Sequence, residues 1–563
     1  MCALRASCTP TNGSKRPNPC SSTPPATPHT GRKQWPPEPR RVSDYRFAII
    51  ADAHFHPLDA EYGVQGPDGL SLRSWSDTRA STRVFNESAA ALEAALERIE
   101  AMGLRDVVLL GDYSDDGQER SISALLRRLA ARRGLRFFAL PGNHDSFGPH
   151  GRDHTKTFLN ASSQPVRVSS RPEDRAHHDP KMRCADHESG VMRMAAHGFT
   201  PPPGALYWET PFGKDPAPEA RRYDCHSRDG TLTLRLFDAS YLVEPAPDVW
   251  FVMIDANVFE PTGTADEVID STNAGWNAMQ RVKPHLLHWL FDVAQRAQQQ
   301  GKRLLCFSHY PVLDPYHDAA RSEEALFGNT STALRRPVPD IGKMLCTAGL
   351  NLHFSGHLHV RRRSVLDHEG RRLVNIAVPS LVAWPAGFCV VRTNNNSLTV
   401  EDQSLAQIPL DARLTEAYRR EDPETSGGVC AATDYGGYLR AHVDTLVRYR
   451  YLPREWPPAR AAEIAGTLDD ALAFTGAAPC GQSVPLSEVV ADWYRLRAAG
   501  AIGLDDLAPA RRVLYESLAT RISVDQKEAR GLFWALFLHR LSDFVRDAKT
   551  EAGPFHQPAR AVT

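Results

Sequence analysis

Five short segments carry side chains that could act together: Asp52-Ala-His54, Gly111-Asp112, Gly142-Asn143-His144-Asp145, Ser308-His309 and Gly356-His357-Leu358-His359. Carboxylate and imidazole suit Zn, Fe, Mn and related divalent ions. The candidate ligands are Asp52, His54, Asp112, Asn143, His309, His357 and His359. Two-residue spacing in Asp52-x-His54 and His357-x-His359 sends both side chains of a pair to one side of an extended segment, so each pair can address one site. Asp112 has two carboxylate oxygens and can bridge two ions. The glycines at 111, 142 and 356 permit tight turns beside them.

The elements that must hold these segments alternate. Phe47-Ala-Ile-Ile-Ala reads as a buried strand opening into a loop at Asp52. A helix is expected from Ser81 to Met102, closed by Gly103, then a strand over Asp106–Leu110, a helix over Ser121–Arg133 stopped by Gly134, and a strand over Leu135–Leu140. Such alternation implies parallel strands covered by helices. Strands resume at Val249–Ile254, Leu304–Phe307 and Leu352–Phe354, with a helix from about Trp276 to Gln299 between the first two. All five segments follow the C-terminal ends of strands, where open α/β sheets place ligands. From Arg362 to Thr399, alternation around Asp367-His-Glu-Gly370 and Asn394-Asn-Asn-Ser397 predicts antiparallel hairpins closing a second sheet. Beyond about residue 410 the pattern is mostly helical, clearest at Gly531–Lys549, where Phe533, Phe537, Leu541 and Phe544 form one apolar stripe read as core.

Residues 1–42 are crowded with Pro, Ser, Thr, Lys and Arg, too polar to offset the entropy of ordering, and are expected to be a disordered tail. The main domain spans 43–405. Within it, 146–247 is Pro- and His-rich and breaks the rhythm, which predicts an inserted cap, and 406–563 forms a helical C-terminal extension. The chain of 563 residues is 42% hydrophobic and 24% charged, which excludes fibrous or wholly disordered classes. Lys plus Arg total 66 against 67 for Asp plus Glu, so no global attraction to nucleic acid or acidic membranes follows. The longest apolar run, Leu532–Leu538, falls short of the ~20 residues of a membrane span. Ten cysteines without a CxxC pair, and no apolar leader, point to a cytoplasmic protein. His56 is read as a loop or supporting residue, and Cys184, His187, Cys225 and His226 as ordinary side chains rather than a zinc site.

The pattern DxH, GD, GNH(D/E), a lone His and GHxH resembles that of the calcineurin-like metallophosphoesterase superfamily, over Tyr45 to about Ser404. The resemblance implies an α/β fold, a four-layer α/β/β/α sandwich, here with the inserted cap and the helical extension. It implies a hydrolase acting on ester bonds, with a small-molecule phosphoester as substrate and two divalent ions (Mn, Fe or Zn) as cofactors. One ion falls to Asp52, His54, Asp112 and His359, the other to Asp112, Asn143, His309 and His357. Ions about 3.5–4 Å apart can hold a hydroxide between them as nucleophile, so no Ser or Cys is needed. His144, next to a ligand, is placed to protonate the leaving group. In related phosphatases the carboxylate three residues after the bridging Asp orients this imidazole, here Asp115, with Asp145 as second candidate. Where the protein phosphatase branch has Arg in GDxxDRG, this chain has Asp116. A negative charge there would repel a dianionic monoester more than a diester, so phosphodiesters are slightly favoured, and the Asp-Asp-Gly resembles the cyclic-nucleotide phosphodiesterase branch. The competing reading is a non-catalytic scaffold of the same fold for protein assembly, separable by metal content. A nuclease would require a basic groove that the neutral composition does not advertise.

Overall fold

In the computed structural model, residues 44–558 are described apart from 173–175, 265–266, 271–274, 318–319 and 395–396; the expected tail, 1–42, lies outside them. The alternation read from the sequence becomes two sheets. The first runs, in spatial order, Phe555–Pro558, Ser397–Ser404, Gly387–Thr393, Tyr45–Ile50, Asp106–Leu110 and Arg136–Leu140. Its last three strands are parallel and the rest antiparallel. The second runs Arg362–His368, Arg371–Ala377, Leu352–Ser355, Arg303–Ser308, Val249–Ile254, Tyr241–Ala246 and Tyr207–Glu209, with its central strands parallel.

Side-chain alternation along Val249–Ile254 shows how the layers form. Phe251 and Met253 join Phe47, Val108 and Phe138 of the first sheet in one core, and the Phe47 and Phe251 rings lie 4.7 Å apart. Trp250, Val252 and Ile254 face the other way, onto Leu286, Leu290 and Val293 of the helix Pro284–Gln299 and Leu345 of Pro339–Thr347. The helices Ser88–Ala101 and Glu119–Ala131 bury Leu92, Leu96, Ile99 and Leu125 in the core they share with the first sheet. The architecture is the α/β/β/α sandwich.

Four local expectations are corrected. The first helix starts at Ser88, not Ser81; the preceding segment is held in loop form by Val84 N–H donating to Val382 O (3.0 Å). The single helix expected over Trp276–Gln299 is two, Gly275–Val282 and Pro284–Gln299. Pro284 forces the residue before it out of helical geometry, and Lys283 turns its ammonium onto Asp255 (2.9 Å). The hairpins of 362–404 are shared between the sheets: the pair ending at Ala377 extends the second and the pair Gly387–Ser404 extends the first. The segment 146–247 is not all cap, because Tyr207–Glu209 and Tyr241–Ala246 complete the second sheet's edge.

The C-terminal helices belong to the same compact unit as the sheets. Leu414, Tyr418, Tyr435 and Leu439 join the core built on the first sheet. Farther on, Trp456, Trp493 and the stripe Phe533, Phe537, Leu541 and Phe544 make a second core of their own. Among the described residues no helix is long and apolar enough to cross a membrane.

Candidate metal centre

All five chemical segments converge where the central strands end. Their backbones are unusual: Asp52, His54, Asp112, His357 and His359 all have φ between 39° and 72°. This left-handed region is uncommon outside glycine, and residues held there cluster at functional sites. The adjoining glycines make close approach possible. A Cβ at Gly356 would lie 2.6 Å from Asp52 Oδ2, one at Gly111 2.5 Å from His309 Nδ1, and one at Gly142 would overlap the carboxylate and backbone nitrogen of Asp112.

Two groups of ligand atoms result, each lying within 4.8 Å: Asp52, His54 and His359, and Asp112, His309 and His357, all buried. Asp112 lies between them, its Oδ2 3.5 Å from His54 Nε2 and 3.2 Å from His309 Nε2. His359 Nε2 is 3.6 Å from Asp52 Oδ1 and 3.0 Å from His54 Nε2. The rings are oriented from behind, as metal-ligating imidazoles usually are: His309 Nδ1 donates to Leu110 O (3.0 Å) and His359 Nδ1 to Thr82 O (3.2 Å). Asp52 accepts the His357 backbone N–H at 3.0 Å.

The donor set fits divalent cations. His357 Nε2 and Asn143 Oδ1 are buried without a hydrogen-bond partner among the described residues, a costly state for polar atoms unless something binds them. Electrostatics agree. Burial pushes the Asp52 carboxyl up to about 7, with the Asp112 charge adding to the effect. Burial holds His54 and His357 well below the usual imidazole range and takes His359 down to about 3. Against the same burial, the Asp112 and Asp52 carboxylates raise His309 to about 9. Despite burial, Asp112 is held well below the carboxylate range by His309, His144 and His54. Cations would offset these desolvation costs by keeping carboxylates ionised and imidazoles neutral. Among Mn, Fe and Zn the ligand types do not discriminate.

His144 stands at the rim, its side chain 24% exposed and its ring 5.0 Å from that of His54. Its backbone N–H donates to Asp112 Oδ1 (2.7 Å). The carboxylate on its Nδ1 is Asp116, at 2.6 Å, which corrects the assignment to Asp115 or Asp145. Asp115 is engaged by Arg73 (2.9 Å), Lys156 (2.8 Å) and Arg83 (3.1 Å). Asp145 accepts from the Gly142 and Ser114 backbone amides, both at 2.9 Å, and serves to pin the turn; burial, aided by the Asp112 charge, raises its pKa to about 8. The left-handed Asp116, φ 69°, turns its side chain toward the imidazole where an ordinary backbone would not.

Asp116 is also no free negative charge. It is buried and lies 3.2 Å from Lys156, 3.3 Å from His154 and 3.4 Å from Arg83. With three fixed cations, Arg73, Arg83 and Lys156, around two carboxylates, the cluster does not repel a dianion, and the argument from Asp116 for diesters is lost. Arg83, Lys156 and His154 were not anticipated from the sequence. The first sits in the segment expected to be helix, and the other two in the insertion; a lysine within the strand Thr155–Leu159 is their one visible signal.

Residues 45–190 match the sequence profile of the calcineurin-like phosphoesterases. The chain carries a calcineurin-like phosphoesterase domain. No curated protein sequence matches it. Among solved structures, this chain is similar to a dimetal phosphatase from Danio rerio (14% identity, TM-score 0.37, 65% of this chain and 97% of that one). It is also similar to purple acid phosphatase PPD1 from yellow lupin seeds (12%, 0.33, 65% and 52%) and to phosphopantetheinyl hydrolase from Mycobacterium tuberculosis (11%, 0.22, 60% and 91%).

A pocket opens beside the centre of this calcineurin-like domain. Its lining includes Thr82, His357 and His359 together with Arg335, Arg450, Tyr451 and Arg497. The C-terminal helices therefore border the cleft.

His56 faces away from the ligands, its Nε2 2.8 Å from Ser71 O and its ring stacked on Tyr62. His187 pairs with Asp255 at 2.9 Å and His226 with Thr233 at 2.8 Å.

Proposed function

We propose that this chain is a metal-dependent hydrolase of phosphoesters, carried by one observation: two buried ligand groups meeting at Asp112, with an imidazole at their rim. In this reading Asp52, His54 and His359 hold one divalent ion, Asn143, His309 and His357 the other, and Asp112 serves both. Two such ions, when bound, neutralise phosphoryl oxygens and lower the pKa of a water to make it a nucleophile. The protein's own side chains do the rest. Asp116 accepts a hydrogen bond from His144 Nδ1–H, which fixes the ring, and the protonated imidazole gives its Nε2 proton to the departing alkoxide. Arg83, 3.3 Å from both ring nitrogens, lies alongside the imidazole. Its guanidinium is positioned to attract an anionic phosphoester to the rim. With Asp116 neutralised by its neighbours, the reading extends to monoesters and diesters alike.

The test is hydrolysis of p-nitrophenyl phosphate and bis-p-nitrophenyl phosphate in Mn2+, with metal counted by mass spectrometry. Wild type is expected to carry about two ions per chain and to turn over at least one ester. Asp112→Asn should lose metal and activity together. His144→Asn should keep its metal and lose about 10²–10⁴ in rate. Wild-type protein that binds no metal would sink the proposal and leave the scaffold reading.

A further inference from the structure

The pocket wall contains an electrostatic imbalance. Buried arginines elsewhere find at least one acceptor for their terminal nitrogens, although the Nε of Arg73, Arg83 and Arg540 is unpartnered too. Arg73 and Arg83 meet Asp115, and Arg362 meets Glu551 at 2.9 Å. Even the carboxylate-free Arg221 donates to three backbone carbonyls. Arg335 differs. Its side chain makes no hydrogen bond or ion pair among the described residues, and its Nε is shut off from solvent without a partner. Arg450 donates to Ala80 O (3.0 Å) while its own Nε is likewise buried and unpartnered. The third arginine of the wall is accounted for, since Arg497 lies 3.4 Å from Glu323 and donates to Thr332 (2.6 Å). One carboxylate, Glu455, lines the pocket against Arg335 and Arg450, neither of which has an ion-pair partner among the described residues, so the wall holds a net positive charge. A partly buried cation without an acceptor is costly, and planar guanidinium donors are matched best by carboxylate or phosphate.

We propose that Arg335 and Arg450 form an anion subsite, so that the substrate carries a second anionic group, carboxylate or phosphate, besides the phosphoryl group attacked. The inference rests on the phosphoesterase reading for the word substrate, but not for the binding itself. Two features separate this subsite from the reacting centre. It is built from residues outside the five motifs, and Tyr451 and Arg497 of the C-terminal helices line the same pocket. The reacting phosphoryl has its own guanidinium in Arg83, beside His144. Tyr316 and Tyr451 in the same wall offer apolar faces to whatever links the two anionic groups.

The experiment is calorimetric titration of the Mn2+-loaded protein with two non-hydrolysable probes, phenylphosphonate and 4-carboxyphenylphosphonate. The second is expected to bind at least tenfold tighter. Arg335→Gln and Arg450→Gln should each erase that preference while leaving phenylphosphonate affinity within twofold. Arg335→Lys, which keeps the charge and loses the fork, should retain part of it. Equal affinities in the wild type would overturn the proposal. So would variants that weaken both probes alike, since the arginines would then hold the reacting group itself. The readout is binding, so a preference for the carboxylated probe in protein that hydrolyses no ester would uphold the subsite and refute the phosphoesterase reading.

Discussion

Replacing Asp116 by Asn tests the least expected contact of the site. The 2.6 Å bond to His144 Nδ1 joins a carboxylate to an imidazole. Hydrogen bonds to charged groups contribute about 1.5–3 kcal/mol, and each ~1.4 kcal/mol lost from transition-state stabilisation is tenfold in rate. The variant should therefore lose roughly 10- to 150-fold in kcat. The fold should survive, because Asp115 still engages Lys156 at 2.8 Å and Arg83 at 3.1 Å. Leaving groups separate proton donation from general damage. Phenolate leaves poorly without a proton, whereas p-nitrophenolate departs almost unaided. Asp116→Asn should thus lose far more on phenyl phosphate than on p-nitrophenyl phosphate, with metal content unchanged. Asp115→Asn is the control: it removes one of the carboxylates shared by buried Lys156 and Arg73, which keep Asp116 and Asp77, and should lower stability without that leaving-group signature. Equal losses on the two esters, or a stronger signature in Asp115→Asn, would refute the assignment of Asp116 as the residue that positions His144.

Two further outcomes are expected. Gly142→Ala should lower metal stoichiometry and cost about 1–3 kcal/mol in thermal melts, because its Cβ would overlap Asp112; unchanged metal binding would contradict the steric argument. Glu87, buried, is pushed up to about 7 by desolvation, its one side-chain partner oxygen accepting from Tyr418 Oη at 3.0 Å while the other has none. A carboxyl pKa raised on folding means that the folded state holds the proton more tightly. Stability therefore falls as pH rises from the unfolded value near ~4.3 through about 7, and the full cost is on the order of 3 kcal/mol at about 1.36 kcal/mol per pH unit. Glu87→Gln should accordingly melt higher than wild type at pH 8 and alike at pH 4, and the reverse order would refute the burial argument.

The metal ligands were legible because their signal is local: a strand, a glycine and a polar residue, repeated. Asp106–Leu110 matched to the residue for the same reason, being a short apolar run between turns. What escaped was long-range. Nothing near Arg83 or Lys156 in sequence announces a carboxylate pair across the fold, and Asp116 read as a charge facing the substrate because its left-handed backbone is invisible in a string of letters. The partition of the hairpins between two sheets failed likewise, since alternation tells which face is buried but not which sheet a strand joins. Pro284 was a readable break, and periodicity on either side of it masked the stop.

The wall of arginines has a consequence for the order in which the molecule is made. Every candidate ligand lies between Asp52 and His359, but Arg450 and Arg497 follow later, and the strand Phe555–Pro558 that flanks the first sheet comes last. Arg497 is 138 residues beyond His359; at ~5–20 residues per second of synthesis that is on the order of ten seconds. A nascent chain would thus present a complete set of ligands before the part of its surface that selects what approaches them, so competence for chemistry precedes discrimination.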